Sequence, residues 1–162
     1  MARHGSTLSS PDRKTAALDL APVVLIVDNE RPLLELFRAL LEEEQFQVLT
    51  AANGQEALTL AEASRPDILV TDVAMPRLNG FGLMRAVRSL YPSLPVIVMT
   101  GADSYAGRPV GVVAAELGAV ATLMKPFDLT VLYEAIRSVI PSRTQPRPRS
   151  LGDRAVGSGQ GG

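Results

Sequence analysis

The sequence has 162 residues, with no cysteine, no tryptophan and only one histidine, His4. Without cysteine the chain can form no disulfide and no thiolate metal site, and it has no cysteine nucleophile. A lone histidine near the start leaves almost no material for histidine-based catalysis or for a histidine metal site. The chemistry of this chain must therefore come from carboxylate, hydroxyl, amide and ammonium groups.

Long apolar runs are also missing. The longest stretch without a charged residue covers 14 residues, 89–102, and contains two prolines. A membrane-spanning helix needs about 20 apolar residues, so no span and no membrane partner are predicted. The first ten residues lack the apolar segment of a secretory signal. We therefore expect a cytoplasmic protein.

Aromatic residues and charge are distributed unevenly. All seven aromatic residues lie between residues 37 and 133. Residues 22–140 carry nine basic and 14 acidic residues, a balance of -5, whereas residues 141–162 carry four arginines and one acid, a balance of +3. The polar segment 1–21 and the Pro- and Gly-rich segment 141–162 cannot bury enough apolar surface to offset chain entropy. We predict one folded domain, 22–140, between two disordered tails, with at most a marginal helix at 14–20.

Within residues 22–140, short apolar runs alternate with amphipathic helical patterns. Strands are predicted at 23–27, 48–51, 68–71, 96–99 and 120–124, and helices at 32–43, 54–63, 81–90, 109–117 and 129–139. Asn53 and Asp128 are predicted helix caps. Five strand–helix units in succession predict an α/β fold with a parallel sheet covered by helices on both faces. In such sheets, ligands bind beyond the carboxyl ends of the strands.

Polar residues stand at these strand ends. The first, third, fourth and fifth strands are followed by Asp28-Asn29-Glu30, Asp72, Thr100 and Lys125. Carboxylate and amide oxygens suit Mg²⁺. A hydroxyl and an ammonium group can hold phosphoryl oxygens, and a carboxylate can accept a phosphoryl group. The strand ends therefore indicate metal-assisted phosphoryl transfer onto a carboxylate.

Four segments in the right order resemble the signatures of response-regulator receiver domains. They are VLIVDNE at 24–30, TDVAMPRLNG at 71–80, VMTG at 98–101 and KPFD at 125–128. The resemblance covers residues 22–140. It implies a doubly wound, flavodoxin-like (βα)5 sandwich of three layers, with a five-stranded parallel sheet in the order 2-1-3-4-5.

The resemblance also implies a phosphoacceptor and its metal site. Asp72 would be the phosphoacceptor. Mg²⁺ or Mn²⁺ would be held by Asp28, Asn29, Asp72 and the backbone carbonyl of Ala74, with Glu30 as an alternative ligand.

The remaining signature residues receive roles around the phosphoryl group. Thr100 and Lys125 would contact it. Met75 and Pro76 would shape the loop after Asp72, and Gly80 would permit the turn into the third helix. A cis peptide bond is expected between Lys125 and Pro126.

By the same resemblance, the phosphoryl donor is a sensor histidine kinase or a histidine phosphotransfer protein, and the chain is a signalling protein rather than an enzyme. The 22 residues after Ile140 are too few for a DNA-binding or enzymatic output domain. We therefore expect output by contact with an unidentified downstream protein, and a homodimer stays open.

Three features depart from the family pattern. Asn29 stands where family members generally carry a second acid, which predicts a weakened Mg²⁺ site. Thr122 replaces the aromatic residue whose rotation reports phosphorylation. The loop 101–109, GADSYAGRP, is longer than usual. Its Tyr105 either swings over the pocket in place of that aromatic residue or packs on the surface of a flexible loop.

Two other functions stay open on the sequence. A phosphorylation-independent scaffold is favoured by Asn29 and Thr122 and opposed by the intact Asp72, Thr100 and Lys125. A Mg²⁺ phosphohydrolase with Asp72 as nucleophile would need a second acid two residues later as general acid and base. Ala74 occupies that position, so turnover of small substrates is not expected.

Overall fold

The computed structural model describes residues 21–140. Its larger sheet comprises β1 (Val23–Val27), β2 (Gln47–Ala51), β3 (Ile68–Asp72), β4 (Val96–Thr100) and β7 (Ala121–Met124), and a small pair comprises β5 (Ser104–Tyr105) and β6 (Arg108–Pro109). The helices are α1 (Arg31–Glu43), α2 (Gly54–Ser64), α3 (Gly80–Leu90), α4 (Val110–Glu116) and α5 (Leu129–Val139). The predicted tails, except residue 21, and the candidate helix at 14–20 lie outside the described residues.

The larger sheet is parallel throughout, in the order β2-β1-β3-β4-β7. With β7 as the fifth strand of this sheet, the predicted order 2-1-3-4-5 is confirmed. Thr71 in β3 pairs with Val27 in β1 and with Val98 in β4. This register brings the carboxyl ends of the three central strands to one level, so the residues that follow them become neighbours.

Side chains of the central strands alternate between two apolar cores, because successive residues of a strand point to opposite faces. Val24 and Ile26 of β1 pack against α1 and α5. Leu25 and Val27 pack on the other face against α2, α3 and α4. All five residues of β1 are buried, as its unbroken apolar run predicted. The three-layer arrangement is confirmed.

Local signals fix the helix ends. The Asn53 side chain accepts a hydrogen bond from the Glu56 N–H at 2.9 Å, and the Asp128 side chain accepts one from the Thr130 N–H at 3.1 Å. Both predicted caps are confirmed. Gly118 follows α4 with a φ of +89°, the left-handed conformation that favours glycine after a helix. No helix within residues 21–140 combines the length and apolar character needed to cross a membrane.

The structure differs from the sequence expectations around β3 and β4. Both strands run one residue further than predicted, so Asp72 and Thr100 are the last residues of their strands. Asp72 pairs with Met99 in the ladder, and this pairing overrides the low strand propensity of aspartate. The strands β5 and β6 were not predicted, because a two-residue strand has no measurable sequence period.

Candidate functional site

Asp28 lies directly after β1 and is fully buried. Its Oδ1 atom accepts a hydrogen bond from the Glu30 N–H at 2.9 Å, and its Oδ2 atom lies 2.6 Å from the Lys125 Nζ atom. Its own N–H donates to the Ala51 carbonyl oxygen at 3.2 Å. A buried carboxylate requires such partners to offset the loss of water. Three contacts thus fix Asp28 at this edge of the sheet.

Asp72, at the end of β3, is only 5% exposed. Burial raises the pKa of its carboxyl group above the usual value. The Lys125 ammonium group, whose Nζ lies 3.7 Å from Oδ1, lowers this pKa, whereas the charge of Asp28 raises it. Hydrogen bonds from the backbone at Ala74 and Val73 also lower it. The net rise means that Asp72 is a more basic carboxylate than an exposed aspartate.

Lys125 connects the two carboxylates and also the ends of two strands. Its Nζ atom lies within ion-pair distance of both Asp28 and Asp72, and its side chain is 20% exposed. Its backbone N–H donates to the Thr100 carbonyl oxygen at 2.7 Å. The expected cis peptide bond between Lys125 and Pro126 is present. The site is therefore a buried pair of acids with one ammonium group between them.

Thr100 is 1% exposed at the end of β4. Its Oγ1 atom accepts a hydrogen bond from the Ala102 N–H at 3.0 Å and donates to the Ala102 carbonyl oxygen at 3.2 Å. The hydroxyl group is thus bonded to the connection that follows β4. The backbone carbonyl oxygen of Thr100 accepts a hydrogen bond from the Lys125 N–H, so Thr100 belongs to the same edge of the sheet as the two acids.

The other predicted site residues occupy the surrounding loops. Asn29 and Glu30 are exposed after Asp28. In the loop after Asp72, Met75 is buried, whereas Ala74 and Pro76 are exposed. Pro126 is exposed after β7, and Thr122 lies half-buried within that strand.

Gly80 has a different structural reason from the expected one. It begins α3 without a positive φ, so conformational freedom is not what the turn requires. A Cβ atom at this position would instead collide with the backbone carbonyl group of Asp72 and would lie 3.0 Å from the Val73 Cα atom. Glycine is needed here because α3 begins directly against the backbone of the acid.

The donor atoms at this edge fit a hard divalent cation. Within residues 21–140, no group of three or more His, Cys, Asp or Glu side chains is arranged to hold a metal ion. Mg²⁺, however, is commonly held by one or two carboxylates with several waters. The buried carboxylates of Asp28 and Asp72, together with exposed backbone and amide oxygens beside them, match that set.

Sequence reasoning missed the role of Asn79. Its Oδ1 atom caps α3 by accepting from the Gly82 N–H at 2.8 Å, and its Nδ2 atom donates to the Tyr105 hydroxyl at 3.1 Å. An asparagine directly before a helix is a recognisable cap signal. The contact with Tyr105 is 26 residues away in the sequence and has no local signal.

A family model described as the response regulator receiver domain matches residues 24–137. The chain belongs to this family. The chain is 40% identical over 123 residues to a protein named response regulator MprA from Mycolicibacterium vanbaalenii, and 41% identical over 123 residues to one of that name from Mycobacterium leprae. These matches cover 76% of this chain and 52% of each relative. The chain therefore spans about half the length of the curated relatives that it matches.

Solved structures agree with this assignment. The chemotaxis protein CheY4 of Vibrio cholerae is 31% identical, with a TM-score of 0.67 over 74% of this chain and 99% of that protein. A structure named FixJ-N is 35% identical, with a TM-score of 0.63 over 73% of this chain and 92% of its own length. The chain has the flavodoxin-like α/β fold of CheY-like receiver domains, as the sequence predicted. Such domains are signalling domains of two-component systems.

Proposed function

We propose that this receiver domain accepts a phosphoryl group on Asp72 from a phosphohistidine of a sensor kinase or a phosphotransfer protein in the cytoplasm. The observation that carries the proposal is the position of the Lys125 ammonium group, 2.6 Å from Asp28 and 3.7 Å from Asp72. Both acids are buried, and a buried, basic carboxylate beside a cation has the properties of an activated nucleophile. Output then follows by contact with a downstream protein.

The proposed transfer moves one phosphoryl group between two side chains. A carboxylate oxygen of Asp72 attacks the phosphorus atom, and its P–O bond forms as the P–N bond of the phosphohistidine breaks. The electron pair of the P–N bond stays on the imidazole nitrogen, which takes up a proton from solvent. Lys125 and the Thr100 hydroxyl supply a charge and a hydrogen bond for the phosphoryl oxygens. The products are an acyl phosphate and a neutral histidine.

The proposed cofactor of the phosphoryl transfer is Mg²⁺, and Mn²⁺ can take its place. The metal ion would be held by Asp28, Asp72, the backbone carbonyl of Ala74 and the side-chain amide of Asn29, with Glu30 as the alternative to Asn29. The ion would neutralise charge that builds up on the phosphoryl oxygens. Asn29 offers an oxygen without a charge, so we expect weakened binding. Calorimetric Mg²⁺ titration tests this, because Asn29→Asp should bind more tightly than the parent, and equal affinity would argue against it.

The proposed docking site for the donor protein is an apolar groove of about 400 Å³ beside Lys125. It is lined by side chains of α1 and of the segment after β7, among them Leu33, Leu36, Phe127 and Leu129. Leu36 is 50% exposed. Because Lys125 also lines this groove, a protein seated there holds its phosphohistidine close to Asp72.

Two phosphoryl donors separate the chemistry from the docking. Acetyl phosphate with Mg²⁺ should add the mass of one phosphoryl group to the intact chain and none to Asp72→Asn. Leu36→Glu should slow transfer from a phosphorylated donor protein by about tenfold or more, as for a central interface residue, without affecting acetyl phosphate. Leu90→Glu, at a 46% exposed position at the far end of α3, is the matched control and should change neither. Failure of both donors to add mass would overturn the proposal.

A phosphorylation-independent scaffold is the second candidate. The uncharged Asn29 and the small Thr122 are the observations that favour it. In that case the intact chain gains no phosphoryl group from any donor. Its affinity for a partner protein is then the same in the parent and in Asp72→Asn.

A further inference from the structure

The connection between β4 and α4 is an ordered hairpin. Ser104 pairs with Pro109 and Tyr105 with Arg108 in antiparallel register. The two residues of the turn, Ala106 and Gly107, have φ values of +50° and +75°. Two positive φ values in a two-residue turn are typical of the type I′ hairpin, whose twist matches that of its strands. This hairpin, residues 104–109, is therefore an element of its own.

Tyr105, the residue next to the turn of the hairpin, contacts the loop that follows Asp72. The Tyr105 ring packs edge-on against Phe81, with ring centroids 4.8 Å apart and an interplanar angle of 77°. Its hydroxyl oxygen accepts a hydrogen bond from the Asn79 Nδ2 atom at 3.1 Å. The other end of that amide caps α3 through Gly82. Tyr105 thus helps to fix Asn79, the last residue of the loop 73–79 between Asp72 and α3, which we call the acceptor loop.

Thr100 is bonded to Ala102, which lies two residues before the hairpin begins. The Thr100 Oγ1 atom makes two hydrogen bonds with the backbone of Ala102, at 3.0 and 3.2 Å. Just beyond, the Val110 N–H donates to the Asp103 carbonyl oxygen at 3.0 Å and closes the base. The hairpin therefore contacts Asn79 directly through Tyr105, and it is connected to Thr100 through Ala102 and Asp103, the two residues that precede it.

We propose that the hairpin couples the phosphorylation state of Asp72 to the acceptor loop, and that Tyr105 is a positioning residue that acts through Asn79. The inference rests on the proposed function, in which the Thr100 hydroxyl bonds a phosphoryl oxygen. When the Thr100 hydroxyl turns to that oxygen, it gives up its two hydrogen bonds with the backbone of Ala102. The base of the hairpin is then released, and the Tyr105 hydroxyl separates from Asn79.

This coupling must work in both directions, because linkage between two sites is reciprocal. If a phosphoryl group weakens the contact between Tyr105 and Asn79, loss of the contact favours the phosphoryl-bound state. Tyr105→Phe removes the hydroxyl and keeps the ring on Phe81. Tyr133→Phe is a matched control, since the Tyr133 hydroxyl accepts from Arg137 at 3.3 Å on α5, outside the site.

Tyrosine fluorescence offers a direct readout, because the chain has no tryptophan and only three tyrosines. In the variant Tyr91→Phe/Tyr133→Phe, Tyr105 is the sole emitter. Its emission should change in proportion to the phosphorylated fraction that intact mass reports after addition of acetyl phosphate and Mg²⁺. The same variant carrying Asp72→Asn should show no change. A full gain in mass with constant emission would overturn the inference and leave the proposed function standing, whereas no gain in mass would overturn both.

Affinity for a phosphoryl mimic gives the reciprocal test. Beryllium trifluoride with Mg²⁺ should bind Tyr105→Phe about two- to tenfold more tightly than the parent, the range that one hydrogen bond permits. Tyr133→Phe should bind with parental affinity. Thermal unfolding of each variant establishes that it is folded. Equal or weaker binding by folded Tyr105→Phe would contradict the coupling.

Discussion

At the scale of single residues, the site depends on one ammonium group between two buried acids. Burial raises the pKa of Asp72, and Lys125 only partly offsets that rise. The folded state therefore binds a proton at Asp72 more tightly than the unfolded chain does. Stability from this residue is greatest below the unfolded pKa and falls as pH rises through the raised folded value. At neutral pH the ionised carboxylate of Asp72 thus destabilises the fold.

Asp72→Asn should accordingly raise the free energy of unfolding at pH 7, by on the order of 1 kcal/mol, because it removes a desolvated charge and keeps the shape of the side chain. The gain should shrink as pH falls towards 4 and Asp72 of the parent becomes protonated. Urea titrations at both pH values measure this. Glu62→Gln, on the exposed surface of α2, is the control and should show little difference at either pH. A less stable Asp72→Asn at pH 7 would contradict the argument.

Gly80 gives a second prediction at this scale. Gly80→Ala should destabilise the fold by about 1–3 kcal/mol, since the new Cβ meets the backbone of Asp72 and Val73 and one of them must move. Gly80→Ala should also lower the rate of phosphorylation by acetyl phosphate, because a shift of the Asp72 backbone moves the acceptor carboxylate.

Gly111→Ala is the matched control for that substitution. Gly111 lies in α4 with nothing within 4 Å of an added Cβ atom, so alanine should stabilise the helix by up to about 1 kcal/mol. Urea unfolding compares the two variants. Equal effects of the two substitutions would show that contact with Asp72 is not what requires glycine at position 80.

At the scale of elements, the hairpin β5–β6 is the feature that sequence patterns did not reveal. The GADSYAGRP segment was expected to be a longer loop, and its glycines did indicate a turn. The position of Tyr105 was left open between two alternatives. The structure gives a third, in which the ring is half-buried on Phe81 and the hydroxyl is bonded to Asn79. That outcome depends on α3, a separate element, so no local pattern contained it.

The turn of this hairpin can be strengthened. Ala106 has a φ of +50°, which is unfavourable for alanine and better tolerated by asparagine. Ala106→Asn creates the Asn-Gly pair preferred in such turns and should stabilise the chain by about 0.5 kcal/mol. Ala115→Asn, at an exposed position of α4, should destabilise it by about as much, because asparagine is a poor helix former. Chemical unfolding midpoints that shift in the same direction for both would contradict this account of the turn.

At the scale of the whole molecule, two apolar cores on opposite faces of one sheet hold the fold together. Both consist of residues between Val23 and Ile140. These cores lie within the range 22–140 that the sequence predicted for the folded domain. The range therefore remains our proposal for the autonomous folding unit.

The fragment 21–140 should unfold in one cooperative transition with a midpoint within about 2 °C of the full chain, because both cores are complete within it. Calorimetry compares the two proteins. Acetyl phosphate should label the fragment as it labels the full chain. A midpoint lower by roughly 5 °C or more, which corresponds to about 1 kcal/mol, would show that residues 1–20 or 141–162 contribute to stability.

The sequence by itself determined the five strands of the larger sheet and the five helices that cover it. It also determined the N-terminal caps of α2 and α5 and the residue types at the strand ends. Such features follow from local periodicity, from caps and from residues next to each other in the chain. Strand order was also recovered, through the resemblance of four segments to a known family. Only the tertiary structure decided that Gly80 is required by contact with Asp72, that Lys125 lies nearer to Asp28 than to Asp72, and that Tyr105 joins Asn79. Each of these is a contact between elements, and its geometry is fixed by packing rather than by the residues on either side.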